Sequence, residues 1–186
     1  FRTRNVGAPV SGLPSPPTGF GSYDPDDVTF LLTDLSDRAL ETDLEAREAH
    51  VRSGGHYSEY LPIEYEPTPA YHALFEDALA RGARRTALGV AVAAERVRAL
   101  RGDDVVLVSL ARAGTPIGVL MRRYLRATAG IDAPHRSVSI IRDRGLDPVA
   151  VRWLEATHPG RPLQFVDGWT GKGAIQRELD RAAATA

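Results

Sequence analysis

The chain has 186 residues, 43% of them apolar and 25% charged, with a formal net charge of −1. That length suits one domain with a sizeable core, and near-neutrality argues against nucleic acid as a partner. There is no cysteine, which excludes disulfides, thiolate metal sites and a cysteine nucleophile drawn from these residues.

No run of about 18 apolar residues is present to span a membrane, and no charged-then-apolar leader pattern opens the chain, so a cytoplasmic location is expected. The first residue is Phe1 rather than Met, as in a piece of a longer product. Residues 1–22 are rich in Pro, Gly and Ser and read as an extended arm. Phe1, Val6, Val10, Leu13 and Phe20 are its available anchors.

Residues 23–102 read as a helical region. Asp24-Pro25 opens a first helix with Val28, Leu31, Leu32 and Leu35 at helical spacing. A second runs from about Thr42 to Arg52 and stops at Gly54-Gly55. The segment HYSEYLPIEYEP, residues 56–67, is too irregular for a regular element. Thr68-Pro69 caps a helix with Tyr71, Leu74, Phe75 and Leu79 as its buried face. A further helix spans roughly Arg84 to Leu100.

Residues 103–186 change register. Asp104 to Leu110 is a short apolar run of the buried parallel-strand kind. A helix begins at Thr115-Pro116 and continues to about Thr128, with Ile117, Leu120, Met121, Tyr124 and Leu125 facing inward. A strand over Ser137–Ile141, a helix from Pro148, a strand over Leu163–Val166 and a helix over Ala174–Ala184 follow. This alternation predicts an α/β fold, a three-layer, doubly wound, mainly parallel sheet with helices on both faces.

In such sheets ligands sit beyond the carboxyl ends of the strands. The last strand runs into FVDGWTGKGAI, an acid, a glycine-rich turn and a helix start. Backbone amides and the positive end of a helix there suit an anion. Of 23 Lys+Arg residues only Lys172 is lysine, and it sits inside this loop. The loop is not a Walker A motif, since it lacks the four-residue gap and the Ser/Thr after lysine. A tight strand-to-helix turn without a ligand is the alternative. The first strand runs into SLARAGTPIG, where Ser109, Arg112, Ala113 and Gly114 offer a charge beside exposed amides, or else a plain turn. The second ends in IIRDRGLD, where Arg142 and Arg144 belong either to a mobile lid or to a solvated, self-paired turn.

The pair SLARAGTP and FVDGWTGKGA resembles the pyrophosphate loop and the phosphoribosyl-pyrophosphate (PRPP) loop of type I phosphoribosyltransferases. More closely, Tyr23 to the C-terminus resembles a phosphoribosyltransferase-like family of tellurium-resistance and stress operons. HYSEYLP, VSLARAGTPIG, SIIRDRGLD and FVDGWTGKGAI are its blocks, and some of its members carry the label "cysteine protease StiP". The resemblance implies a phosphoribosyltransferase, moving ribosyl 5-phosphate from PRPP to a base-like acceptor with release of pyrophosphate. Asp167 would contact the ribose and hold a magnesium ion through water, and Thr170, Gly171, Lys172 and Gly173 would cradle the 5-phosphate. Ser109, Arg112, Ala113 and Gly114 would take the pyrophosphate, with Arg142 and Arg144 on a flexible loop above it. Arg112, Arg144 and Asp167 would be the catalytic residues. Tyr57, Ser58 and Glu59 would belong to a hood that selects the acceptor.

Two departures stand out. Gly168 takes the place of the family's second acid, and the chain stops after the helix that follows this loop, where further strands are expected. A homodimer or a further C-terminal domain is the matching expectation. A PRPP- or nucleotide-binding regulatory module without turnover is the alternative to an enzyme. An RNA-docking face at Arg122, Arg123 and Arg126 is a third reading, set against a plain solvated helix face.

Overall fold

The sheet of this protein is built on a strand with no exposed residue, β4, Val106–Leu110. The computed structural model describes residues 11–19, 21–38, 40–169 and 171–185. They fall into two compact units. One joins the described residues up to Thr33 to those from Ala87 onward; the other is Asp34–Thr86.

The larger unit is α/β. Its sheet has the order β1-β5-β4-β8, built from β1 (Thr29–Leu31), β4, β5 (His135–Val138) and β8 (Leu163–Val166), all pairing in parallel. Because side chains alternate across a strand, β4 feeds two separate cores. Val106, Val108 and Leu110 pack with Val138, Trp153 and Leu154 of α4 (Pro148–Thr157) on one face. Leu107 packs with Met121 and Leu125 of α3 (Gly114–Ala129) and with Val90 and Ala94 of α2 (Pro69–Arg101) on the other. Leu13 of the arm packs against the first core; Phe1, Val6, Val10 and Phe20 lie outside the described residues.

The helix expected after Asp24-Pro25 is instead a turn and a strand. Asp24 Oδ1 accepts the Asp26 N–H at 2.8 Å and its carbonyl accepts that of Asp27 at 2.8 Å, which closes a turn rather than starting a helix. Thr29 and Phe30 suit a pleated surface, and they pair with Arg136 and Ser137 of β5. Tertiary pairing overrides the helical spacing of Val28, Leu31 and Leu32, and Leu35 is exposed. β5 begins two residues earlier than expected. Beyond it, β6 (Ile140–Ile141) and β7 (Gly145–Leu146) form an antiparallel hairpin. The last helix, α5, is Ala174–Thr185.

The smaller unit holds α1 (Leu44–Arg52), capped by Asp43, which accepts the Ala46 N–H. A single 3-10 turn covers Tyr57–Glu59, and β2 (Glu41–Thr42) pairs in parallel with β3 (Leu61–Pro62). The two helices expected over residues 69–100 are one helix of 33 residues, α2. Gly82 and Gly89 are absorbed at about 1 kcal/mol each relative to alanine. Tyr71, Leu74, Phe75 and Leu79, expected to be buried, are exposed. No helix among the described residues is long and apolar enough to cross a membrane.

Candidate functional site

Parallel pairing brings the ends of β4, β5 and β8 to one edge of the sheet, and the loops that leave them are packed together there. A Cβ on Gly114, the first residue of α3, would lie 2.3 Å from the Val166 carbonyl oxygen, and one on Gly168 would lie 2.3 Å from the Ala113 carbonyl oxygen. Both distances are shorter than any real contact, so each glycine is the condition for the other loop's position. The SLARAGTP and FVDGWTGKGA loops are therefore in backbone contact at that edge.

Arg112 precedes this junction with a φ of 76°, one of two non-glycine residues in the left-handed region among the described residues, a conformation that costs about 1–3 kcal/mol. Its side chain is exposed and makes no ion pair among the described residues. Ala113 contributes the carbonyl against Gly168. Gly171 and Gly173 have φ of 48° and 76°, the conformations that glycine permits and that turn successive amides to one side. Lys172 is exposed, and its carbonyl accepts Arg177 Nη1 at 3.2 Å. Thr170 lies outside the described residues. Trp169 is 77% exposed.

Asp167 is half-buried, and its Oδ1 accepts the Trp169 N–H at 3.2 Å. One carboxylate, with Gly168 beside it, is a thin ligand set for magnesium, which takes oxygen ligands in octahedral array. Among the described residues no group of three His, Cys, Asp or Glu side chains is placed to hold a metal. No chemical step is assigned to magnesium here.

Ser109 does not reach the rim with its side chain. It is fully buried on the α3 face, where its hydroxyl donates to His135 Nε2 at 2.8 Å. His135 Nδ1–H in turn donates to the Asp27 carbonyl at 2.9 Å. Gly118 makes room for the ring, since a Cβ there would lie 2.2 Å from Nε2. Burial pushes the His135 pKa down to about 4, so the ring is neutral at pH 7. Asp27 is also buried, and Arg123 holds its carboxyl below the usual aspartate range. A serine bonded to a histidine is a familiar nucleophile arrangement, but neither side chain here is accessible to a substrate. The network ties β1, β4 and β5 together.

The arginines expected on a lid sit in the turn of the β6–β7 hairpin. Arg142 and Arg144 are exposed. Asp143 between them has a φ of 64°. Its N–H donates to Glu178 Oε1 at 3.3 Å, and Glu178 is a buried acid of α5 that also takes Arg181 Nη1 at 2.9 Å. The hairpin tip is thus fastened to the helix that follows the Lys172 loop. Sequence reasoning missed Glu178. Its one visible signal is an acid two residues after Gln176 on the face that Ile175 and Leu179 share.

Tyr57, Ser58 and Glu59 belong to the smaller unit, and of the three Tyr57 lines a cleft of about 330 Å³ there, with His50 and His56. His50 Nε2 and Glu59 Oε2 are 2.6 Å apart. The His50 ring lies against Gly55, where a Cβ would overlap it at 2.0 Å, and meets Tyr60 edge-on at 4.9 Å. His56 Nδ1 and Ser58 Oγ are 2.7 Å apart. Arg47 and Arg52 also line the cleft.

Residues 21–186 match the family described as "Tellurite-like stress resistance cysteine protease StiP". The chain belongs to the StiP family. It is also 41% identical over 163 residues to the "Cysteine protease StiP" of Acinetobacter baylyi, covering 87% of this chain and 42% of that protein. The chain thus spans about two fifths of the length of this StiP relative. No solved structure matches.

The StiP assignment bears out the likeness to a stress-operon family and overturns the activity attached to it. The family is described as a protease, a hydrolase, so ribosyl transfer from PRPP, the transferase class, a place in nucleotide metabolism and the PRPP-binding alternative are corrected. The error has a physical origin. Glycine-rich loops and an arginine at the carboxyl edge of a parallel sheet state that an anion fits, and fold likeness does not fix the reaction.

Proposed function

We propose that this chain serves a StiP-family stress-resistance protein as a recognition surface, with the rim formed by residues 112–114, 167–169 and 171–173 binding an anionic group, a carboxylate or a phosphate ester. The observation that carries the reading is the interlocking of Gly114 and Gly168 at 2.3 Å from the opposite loop's backbone. It packs the start of α3 against the turn that leaves β8, with the exposed cations Arg112 and Lys172 in those two loops. A positive helix end and two cations favour an anion at such a place. The left-handed Arg112 supports it further, because strained backbone collects at ligand clamps. The scaffold suits a type I phosphoribosyltransferase-like arrangement, with β4 between β5 and β8 and a hairpin after β5, without that family's reaction.

Cysteine-dependent hydrolysis needs a thiolate, and the 186 residues contain none. For this chain the proposal therefore places recognition, not nucleophilic attack, at the rim. Calorimetric titration with inorganic phosphate and with acetate tests it. Saturable binding of either that Arg112→Ala weakens at least tenfold supports the reading. Binding unchanged in Arg112→Ala and in Lys172→Ala refutes it.

A second reading rests on the His50–Glu59 pair at 2.6 Å. A carboxylate that orients an imidazole is the base half of a thiol-hydrolase arrangement, and here the His50 imidazole lines the cleft of the smaller unit. Supplying a cysteine-bearing segment of the Acinetobacter baylyi relative in trans and finding peptide hydrolysis indifferent to His50→Asn removes that reading.

A further inference from the structure

At the opposite edge of the sheet from the rim, near the starts of β4, β5 and β8, a half-buried charge stands without a counter-charge among the described residues. Arg136, the second residue of β5, points into the α4 face. Its Cζ lies 5.4 Å from the centre of the Trp153 ring. Nη1 donates to Thr29 Oγ1 and to the His135 carbonyl, each at 3.1 Å. Nε is buried and has no partner. No carboxylate pairs with this guanidinium among the described residues, and the charges that act on it, Arg122 and Arg161, are both cations.

A second orphan lies beside it. His158, just past α4, is 9% exposed, and its Nε2 is buried with no partner. Its ring meets the same Trp153 edge-on at 6.1 Å. Burial and the Arg136 charge lower its pKa to about 4, so at pH 7 it is a neutral donor or acceptor. Arg161 stands next to these groups, held to Asp104 by 2.9 Å and 3.0 Å contacts to the carboxylate and the carbonyl. Asp104 is the one acid that acts on His158, and it is already engaged by Arg161.

Withdrawing a cation from water without a counter-charge is costly, and two unpaired buried nitrogens around one indole call for an explanation. Arginine's planar fork matches the geometry of an oxyanion, and a neutral imidazole N–H adds a donor without adding charge. We propose that Arg136, His158 and the edge of Trp153 form a second site, distinct from the rim, that takes a small oxyanion of phosphate or carboxylate type. The anion neutralises Arg136 and receives hydrogen bonds from its Nε and from His158 Nε2.

The chain has two tryptophans, Trp153 here and Trp169 on the rim, so Trp169→Phe leaves Trp153 as sole reporter. In that variant, Trp153 fluorescence is followed while inorganic phosphate, and separately acetate, is added at constant ionic strength. A saturable change expected with one or both anions identifies the headgroup type by which of them is stronger. Adding Arg136→Met should abolish the change while raising the melting temperature, because an uncompensated charge has been replaced by an apolar chain of similar length. Adding Arg112→Ala should leave the change intact, which separates this site from the rim. Should Arg136→Met not fold, Arg136→Lys retains the charge without the fork and should weaken binding at least tenfold. The proposal is overturned if chloride reproduces the change, if no anion produces one, or if the Arg136 variants bind as the parent does; each of these leaves only an ordered water at the two nitrogens.

Discussion

Acid should unfold this protein through one histidine more than through any surface group. His135 is fully buried between Ser109 and the Asp27 carbonyl, and its pKa is lowered to about 4 from an ordinary 6.5. A group whose folded pKa is depressed must take up a proton on unfolding. Its stabilisation is complete above pH 6.5 and is lost as the pH falls towards 4. That lowering corresponds to about 3 kcal/mol in all, of which about 2 kcal/mol disappears between pH 7 and 5. The assay is urea unfolding followed by circular dichroism at half-unit steps from pH 7 to 5. His135→Asn, which retains a donor and an acceptor, is less stable at pH 7 but should show a shallower pH dependence by that 2 kcal/mol. Parallel curves for the two proteins would refute the reasoning, as would a His135 ring that titrates near 6.5 by NMR.

Other consequences follow from the same structure. His158, at the far edge, is also lowered to about 4, so His158→Gln should remove a further share of the acid sensitivity, seen in the same unfolding series. Gly114→Ala and Gly168→Ala each place a methyl 2.3 Å from a carbonyl oxygen and should cost about 1–3 kcal/mol by overpacking, read from the urea midpoint. Gly89→Ala meets nothing within 4 Å in the middle of α2 and should instead stabilise by about 1 kcal/mol. Glu178→Ala removes the acceptor of the Asp143 N–H and should speed amide exchange across the β6–β7 turn while leaving β4 protected.

Much of the larger unit was legible because its signals are local. The uninterrupted VVLVSL run, the Asp147-Pro148 helix start and the strand–glycine–helix pattern around Asp167 each state their element within a few residues. What escaped depended on partners far along the chain. Thr29–Leu31 is a strand because β5, about 100 residues away, offers it an edge, and spacing alone favoured a helix. Ser109 reads as a rim residue until His135 is seen to take its hydroxyl. The exposed face of Tyr71, Leu74, Phe75 and Leu79 carries a helical apolar stripe, which sequence logic assigns to a core. Glycine placement pointed to the loop junction at Gly114 and Gly168 but not to the family's reaction, since such loops are common to many chemistries.

The account rests on the rim between Arg112 and residues 171–173 being the place where an anionic group binds. Soaking crystals of the protein in inorganic phosphate and mapping the difference density tests this most directly. The account predicts tetrahedral density within hydrogen-bond reach of the Arg112 guanidinium and the amides of the Lys172 loop. A fully occupied anion elsewhere with this rim empty, at a concentration that saturates binding in solution, would contradict it.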